Sequence, residues 1–260
     1  MILAIDIGNS HIVLGCFDNK RIVFTERVAT DLKKTELEYA IILKAVLELH
    51  GTSPQQLEGA VISSVVPPLV PVLCNAIEKI SPNIRPLVVD HSIRTGLPIR
   101  LDHPEQVGCN LIVDAVGACA EYGTPVIVID FGTATTLSVI DKEGCYIGGA
   151  ILPGVQVSLN SLVSGTAQLP NISLTNPSHV LAKNTVDSMK SGVLYGNAAA
   201  IDGMIDRIQS ELGCNTALVA AGDLADKVIP CCRHEINVDE TLPLKGLRIL
   251  YEMNKGGLAE

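Results

Sequence analysis

Two short segments of this sequence place an aspartate, a glycine and small polar residues directly after an apolar run. Asp6-Ile7-Gly8-Asn9-Ser10 follows Ile2–Ile5, and Asp130-Phe131-Gly132-Thr133-Ala134-Thr135 follows Val126–Ile129. Glycine tolerates positive φ angles, so successive backbone N–H groups can face one concavity and bind phosphate oxygens. An aspartate at a strand end can hold Mg²⁺ or another cation beside those phosphates. The pair predicts two phosphate-binding turns, although one copy alone would equally predict an ordinary hairpin turn.

The elements around the two segments repeat. The apolar spacing predicts three short strands at 2–7, 11–17 and 21–28, and three more at 126–131, 135–140 and 145–152. Four further strands are predicted at 60–66, 86–90, 217–221 and 234–238. Helices are predicted at 35–50, 107–121, 155–164, 185–211 and 241–254, and directly after Pro67-Pro68. This alternation predicts an α/β fold with mixed sheets and an internal duplication.

The first predicted helix has two unlike faces. Five apolar residues share one side and are predicted to face the core: Ile41, Ile42, Ala45, Val46 and Leu49. Charged residues occupy the other side: Glu36, Lys44 and Glu48. This pattern is typical of a helix that packs on a sheet with one face in water.

Composition narrows the possible classes of protein. The 260 residues are 47% hydrophobic and carry a net charge of -9, which favours a large core and excludes intrinsic disorder. The acidic balance and only 3% aromatic residues argue against nucleic acid as the main partner. We expect no signal peptide and no membrane span. The eight cysteines lack metal-ligand spacing, so we predict reduced thiols and a cytoplasmic protein.

The pair of turns resembles the two phosphate loops of the actin-like ATPase superfamily. Further landmarks narrow the resemblance to type III pantothenate kinases over nearly the whole chain, namely Gly96-Leu97-Pro98-Ile99, Gly148-Gly149-Ala150-Ile151, Pro153-Gly154, Thr166-Ala167, Lys183-Asn184-Thr185, Ser191-Gly192 and Gly246-Leu247. The resemblance implies a duplicated actin-like ATPase (ribonuclease H-like) fold. Its two subdomains, at 1–120 and 121–260, would each hold a five-stranded mixed sheet flanked by helices.

The same resemblance implies an activity and its cofactors. The family transfers the γ-phosphate of ATP to the terminal hydroxyl of pantothenate, the first committed step towards coenzyme A. It requires Mg²⁺ and a monovalent cation, K⁺ or NH₄⁺, and works as a homodimer with the substrate pocket near the dimer interface. By position, Asp6 would lie nearest the magnesium and Asp130 would coordinate the monovalent cation.

The remaining site residues are also carried over by position from the family. The residues expected to contact ATP are Asp6, Ile7, Gly8, Asn9, Ser10, His11, Ile12, Val13, Gly132, Thr133 and Gly222. Those expected to contact pantothenate are Leu101, Gly108, Cys109, Asn110, Leu111, Thr185 and, as a weaker candidate, Thr166. An alternative role for Thr185 is the N-cap of the helix that begins there.

The sequence departs from the family at the positions that carry the chemistry. The family's Gly-x-Asp-Arg motif reads Gly108-Cys109-Asn110-Leu111 here, so the expected base is an amide and the expected arginine is a leucine. Leu101 replaces a frequent tyrosine, and the family's late Gly-Gly reads Gly222-Asp223. Asp114 lies one helical turn after Asn110, and we hypothesise that it supplies the missing carboxylate; the alternative is an ordinary helix-face aspartate.

Two functions follow from these matches and departures. The first is an active kinase for pantothenate, with Asp6, Asn110 and Asp114 as the candidate catalytic residues. The second is a catalytically impaired paralogue that binds nucleotide and acts as a regulatory subunit of a heteromeric kinase, paired with a sibling that keeps the Gly-x-Asp-Arg motif.

Overall fold

The computed structural model describes residues 1–257. Its strands are β1 (Ile2–Ile7), β2 (His11–Asp18), β3 (Arg21–Ala29), β4 (Gly59–Ser64), β5 (Leu87–Val88), β6 (Val126–Phe131), β7 (Ala134–Ile140), β8 (Tyr146–Pro153), β9 (Ala217–Ala221) and β10 (Asn237–Val238). Its helices are α1 (Glu36–Leu49), α2 (Leu69–Ile80), α3 (Cys109–Tyr122), α4 (Val155–Ser164), α5 (Thr185–Leu212), α6 (Ala225–Val228) and α7 (Leu242–Asn254). Short 3₁₀ turns lie at Pro54–Gln56, Pro104–Gln106, Ile229–Cys231 and Lys255–Gly257.

The strands form two five-stranded mixed sheets of the same topology. One sheet has the order β3-β2-β1-β4-β5, and the other, read from its opposite edge, has the order β8-β7-β6-β9-β10. In each sheet the first three strands in sequence are antiparallel, and the two that follow pair in parallel. The predicted fold class and internal duplication are therefore confirmed.

The chain divides into two units, each with its own core. The first unit comprises Met1–Pro98, Asp102–Gly117 and the segment that begins at Thr241, and the second comprises Ile99–Leu101 and Ala118–Glu240. In the first, β1, β2 and β4 pack against α1 and α2; in the second, β6, β7 and β9 pack against α4 and α5. The subdomain boundary at 120/121 stays a prediction.

The orientation of α1 differs from the sequence prediction. Thr35 caps its N-terminus in a reciprocal capping box with Glu38. The side chains that it buries are Tyr39, Ala40, Leu43, Val46 and Leu47. Ile41 and Leu49, predicted to be buried, are 59% and 82% exposed. Tyr39 explains the difference, because its hydroxyl donates to the Asp31 carbonyl at 3.0 Å and accepts from the Asp31 N–H at 3.1 Å, which requires its face of the helix to turn inward.

Two glycines set the close approach of α3 to α7 in the first unit. A Cβ on Gly246 would clash with the carbonyl oxygen of Val113 and stand 2.8 Å from its carbon. A Cβ on Gly117 would stand 2.8 Å from the carbonyl oxygen of Leu242. The packing of α7 therefore fixes the position of α3, the helix that carries Asn110 and Asp114.

Two predicted strands are shorter than their apolar runs suggested. Only Leu87–Val88 and Asn237–Val238 pair, where five residues were predicted for each. At the second site the backbone takes a different partner: the buried Asp202 carboxylate accepts the N–H groups of Arg233 at 2.9 Å and His234 at 3.2 Å. Because these amides bond to a carboxylate, they do not extend the ladder.

The eight cysteines were predicted to be reduced thiols. All eight cysteines are free. Cys231 and Cys232 pack against the core of the second unit, and their thiols donate to the carbonyls of Lys227 at 3.7 Å and Val228 at 3.6 Å. Among residues 1–257, no helix combines the length and the apolar character that crossing a bilayer requires.

Candidate active site

The first acidic turn follows the central strand of its sheet. The Gly8 N–H donates to the His11 carbonyl at 2.9 Å, and the Thr30 hydroxyl donates to the Gly8 carbonyl at 2.7 Å. The Val65 N–H donates to the Ile7 carbonyl at 3.0 Å. The neighbouring strands therefore hold the turn in one conformation through its backbone.

The conformational reason given for the two turn glycines was wrong. Neither Gly8 nor Gly132 has a positive φ. A Cβ on Gly8 would lie 3.0 Å from the His11 carbonyl oxygen, so close approach explains that glycine. Each glycine also uses its N–H inside the turn, Gly132 donating to the Ala134 carbonyl at 3.1 Å. Donors for a phosphate must therefore come from the neighbouring residues.

The exposed residues of the turns have backbone N–H groups that could act as such donors. Within residues 1–257 the backbone N–H groups of Asn9, Ser10 and Thr133 make no hydrogen bond, and all three residues are exposed. Ile7 and Ile12, also predicted to contact ATP, are fully buried, so only their backbone could do so. His11 is exposed and Val13 is half-buried.

The Asp6 carboxylate lies at the end of β1, between Val13 of β2 and Ser63 of β4 in register. Burial raises the pKa of Asp6 to about 6, and the neighbouring Ser63 hydroxyl opposes that rise. A carboxylate with its ionised form destabilised in this way is stabilised by a nearby cation. The residue fits the predicted magnesium role on these grounds.

The second acidic turn is surrounded by glycines. Asp130 ends β6, opposite Thr136 of β7 and Ala221 of β9. A Cβ on Gly222 would lie 2.8 Å from Asp130 Oδ1, and one on Gly132 would lie 3.5 Å from Oδ2. Gly222 has a φ of +95°, which side-chain-bearing residues rarely adopt. Asp130, Gly132 and Gly222, predicted separately, therefore meet in one place, and carboxylate oxygens suit a hard cation there.

The side chain of Thr135 is buried and cannot reach a phosphate at the turn. Its side chain is 1% exposed, and its hydroxyl has no hydrogen-bond partner within residues 1–257. Thr135 pairs with Phe131 in the ladder, on the face that forms the apolar core. Of the two threonines in the second segment, only Thr133 is exposed at the turn.

The segment Gly108-Cys109-Asn110-Leu111 leads into α3, which begins at Cys109. The Gly108 carbonyl accepts the N–H groups of Leu111 at 3.0 Å and Ile112 at 3.3 Å. The Asn110 side chain folds back, so that its Oδ1 lies 2.6 Å from where a Gly108 Cβ would stand. Cys109, Asn110 and Leu111 are half-buried, whereas Asp114 is 3% exposed. Burial raises the pKa of the Cys109 thiol, and the Asp90 charge adds to the rise.

The residues of the second unit that were expected to contact pantothenate lie at different places. Thr185 is the first residue of α5 and not its cap, because Asn184 accepts the Asp187 N–H at 2.9 Å. Thr185 lines a mostly apolar groove of about 560 Å³ with Leu152, Pro153, Ser158, Leu162, Leu169, Ser188, Met189, Gly192, Val193, Gly196, Asn197 and Ala200. The exposed Thr166 donates its hydroxyl to the Leu162 carbonyl at 2.9 Å. Leu101 is half-buried, next to Arg100, whose N–H donates to Tyr146.

Two residues that support the turns were not identified as such from sequence. Thr30 lies 22 positions after Gly8, and nothing in the spacing marks its hydrogen bond. Gly154 lies against the second turn and donates its N–H to the Thr133 carbonyl at 3.2 Å. Its only signal was its place in the Pro153-Gly154 landmark, directly before a predicted helix.

Two mixed sheets of the same strand order, each with an acidic glycine turn after its central strand, define the class of actin-like ATPase folds. Component A of (R)-2-hydroxyglutaryl-CoA dehydratase from Acidaminococcus fermentans aligns at a TM-score of 0.59 over 98% of both chains, with 15% identity, a likeness of fold alone. Within that class the chain belongs to the type III pantothenate kinase family, whose model matches residues 2–207.

Full-length relatives agree with this assignment. The type III pantothenate kinase of Geobacter sulfurreducens is 42% identical over 258 residues, covering 98% of this chain and 100% of that protein. The type III pantothenate kinase of Moorella thermoacetica is also 42% identical, over 254 residues, covering 98% of this chain and 100% of its own.

Proposed function

We propose that this chain transfers the γ-phosphate of ATP to the terminal hydroxyl of pantothenate, giving 4′-phosphopantothenate and ADP, the first step of coenzyme A biosynthesis. The observation that carries the proposal is the 42% identity over 98% of the chain to kinases that it covers completely. The two acidic turns support it independently, because each follows the central strand of its sheet.

In the proposed mechanism the chain positions the phosphates and neutralises their charge. The backbone N–H groups of Asn9 and Ser10 bind phosphate oxygens from the first turn, and Thr133 contacts ATP from the second. Asp6 holds Mg²⁺, which when bound supplies charge neutralisation at the phosphate oxygens. Asp130 holds K⁺ or NH₄⁺. Phosphoryl transfer through a loose transition state depends chiefly on such positioning.

The acceptor hydroxyl loses a proton during transfer, and we assign that proton to Asp114. Asn110 has no group that can accept it, because an amide is neutral and its nitrogen is only a donor. Asp114 is the carboxylate one helical turn further along α3, and its burial supports a dedicated role over that of a solvated helix-face residue. Thr185, at the edge of the apolar groove, contacts pantothenate.

A second candidate function rests on the same helix. With Asn110 and Leu111 where the family has Asp and Arg, the chain would bind nucleotide yet turn over too slowly to serve alone. It would then act as the regulatory subunit of a heteromer with an active sibling. The nucleotide-binding residues of both turns are the same under either function.

Self-association and location belong to the same proposal. Exposed apolar side chains on the second unit support a homodimer, among them Ile151 at 77%, Leu181 at 84% and Val157 at 38% exposure. Burying such side chains against a second copy removes apolar surface from water.

The eight free cysteines support a location in the reducing cytoplasm.

The deciding experiment is an assay of the purified chain with ATP, Mg²⁺, K⁺ and pantothenate, with the phosphorylated product identified by mass spectrometry. The kinase function predicts product from the wild type and little product from Asp6→Asn. It predicts wild-type rates from Asp18→Asn, because Asp18 is an exposed residue at the end of β2 that lies away from the first acidic turn. No product from this chain alone, together with a rate in the mixture that exceeds the rate of an active sibling subunit by itself, would establish the regulatory function instead. Absence of both product and ATP binding would refute both.

A further inference from the structure

Gly154 lies in tight contact with the second acidic turn. A Cβ at Gly154 would clash with the carbonyl oxygen of Thr133 and stand 2.5 Å from that of Gly132. The same residue donates its N–H to Thr133 O at 3.2 Å. Its backbone thus touches both residues that follow Asp130-Phe131 in the turn.

Position 154 requires glycine because a side chain would not fit there, and not because of the backbone conformation. Gly154 has φ −62° and ψ 156°, an extended conformation that every residue type adopts. Gly222, on the other side of Asp130, combines its own close contact with a φ of +95°. An alanine at Gly154 would therefore press on the turn without straining its own backbone, so the effect of contact can be measured separately.

Gly154 is also the residue from which α4 begins. Pro153 before it, and Ser158 and Leu162 of α4, line the apolar groove that contains Thr185. A single backbone contact therefore joins the element that lines the groove to the turn that carries Thr133.

We propose that Gly154 is a positioning residue for nucleotide binding, which holds the carbonyls of Gly132 and Thr133 and so fixes the turn beside Asp130. The inference rests on the proposed kinase function, because it assigns ATP to this turn. Gly154 touches no reacting atom in this role; it acts through the turn.

The test is the Gly154→Ala variant, with Gly148→Ala as its matched control. Gly148 lies on β8, five residues before the end of the strand at Pro153, and a Cβ there would meet nothing within 4 Å.

In Gly154→Ala we expect MgATP binding, measured by calorimetry without pantothenate, to weaken by about 10- to 100-fold, because small misplacements of positioning groups have effects of that size. We expect the KM for ATP to rise with it, while the KM for pantothenate stays within about twofold, less than a single methylene is worth in a binding pocket. Gly148→Ala should match the wild type in all three.

A second measurement covers the case in which Gly154→Ala does not fold. In the wild type, MgATP should slow hydrogen–deuterium exchange in the peptide that contains Gly154 as well as in the peptide that spans 130–135. Protection of 130–135 without protection at Gly154, or a folded Gly154→Ala with wild-type ATP affinity, would overturn the inference. A wild-type protein that binds no MgATP would instead overturn the kinase proposal.

Discussion

Asp114 follows Asn110 by one turn of α3, and only Asp114 of the two is buried, at 3% exposure. Asn110 folds its amide over Gly108 at the start of the helix. The two positions therefore differ in environment as well as in chemistry. Because residues four positions apart lie on the same face of a helix, a carboxylate at position 114 lies on the same face as one at position 110 would.

Replacing Asp114 by Asn should lower kcat by about 10²- to 10⁴-fold if its carboxylate accepts the acceptor's proton, the usual contribution of a positioned base. The isosteric amide keeps the volume of the buried side chain, so the folded state should persist. Initial rates at saturating ATP and pantothenate, with circular dichroism to check folding, are the measurements required.

Asn110→Asp is the companion to that variant, because it places a carboxylate at the position where the family resemblance implies one. The double variant Asn110→Asp, Asp114→Asn should regain turnover that Asp114→Asn has lost. Wild-type kcat in Asp114→Asn alone would show that position 114 is only structural.

Thr135→Val should stabilise the protein by about 1 kcal/mol, because valine keeps the branched shape and removes a buried hydroxyl that has no partner. Ser138→Ala, in the same strand, is the matched contrast. Its hydroxyl bonds the Tyr146 hydroxyl at 3.0 Å in a buried site, so its loss should cost about 1 kcal/mol. Urea unfolding of the three proteins gives both values; equal destabilisation by the two changes would mean that the Thr135 hydroxyl is satisfied in solution.

Gly222→Ala should destabilise the protein more than Gly213→Ala. Both glycines have positive φ, +95° and +69°, but a Cβ at Gly213 would meet nothing within 4 Å. We expect about 1 kcal/mol from conformation alone at Gly213. Gly222→Ala adds a clash with Phe131 and Asp130, so it should also weaken ATP binding. The pair of unfolding curves and MgATP titrations would contradict the assignment if the two variants behaved alike.

Tyr122→Phe should remove a pH dependence at the alkaline end. Burial, assisted by the Asp239 charge, raises the pKa of Tyr122 to about 12 from an ordinary value of 10.0. The folded protein keeps that proton while the unfolded chain releases it, so this group's contribution is complete below pH 10 and is lost as the pH rises towards 12. The wild type should therefore lose stability more steeply than Tyr122→Phe over that range.

At neutral pH the same variant should cost about 1 kcal/mol, through loss of the Tyr122 hydrogen bond to Asp239. Urea midpoints at several pH values between 7 and 12 test both parts. Parallel pH profiles for the two proteins would exclude Tyr122 as the titrating group.

The sequence predicted the succession of strands and helices well because that succession follows from local patterns. Short apolar runs separated by the Gly8-Asn9 and Asp18-Asn19 turns predicted β1, β2 and β3. Three further apolar runs, separated by Gly132-Thr133 and by residues 141–144, predicted β6, β7 and β8. Local patterns did not show where a distant side chain takes the backbone amides that would otherwise extend a strand. The amides of Arg233 and His234 bond to Asp202, more than 30 positions earlier, and no spacing rule shows that carboxylate as their partner.

The sequence identified which residues form the candidate site, but it did not show what each residue does within the turns. The glycines at 8 and 132 were found from their setting, yet their N–H groups close the turns themselves. Thr133 and Thr135 are the same residue type two positions apart, but Thr133 precedes β7 and is exposed at the turn, whereas Thr135 lies within β7 and is buried. The orientation of α1 required the hydrogen bonds of Tyr39, which hydrophobic periodicity cannot supply.

The first turn keeps its shape through contacts made by Ile7, Gly8 and Thr30, all of them to main-chain atoms of the turn. Among residues 1–257, the side chains of Asn9 and Ser10 make no hydrogen bond in that scaffold. Descendants of this chain can therefore exchange those two residues freely as far as folding is concerned. Any constraint on the side chains at positions 9 and 10 would then come from the bound phosphates, which makes these positions the natural sites to randomise when altered phosphate affinity is sought.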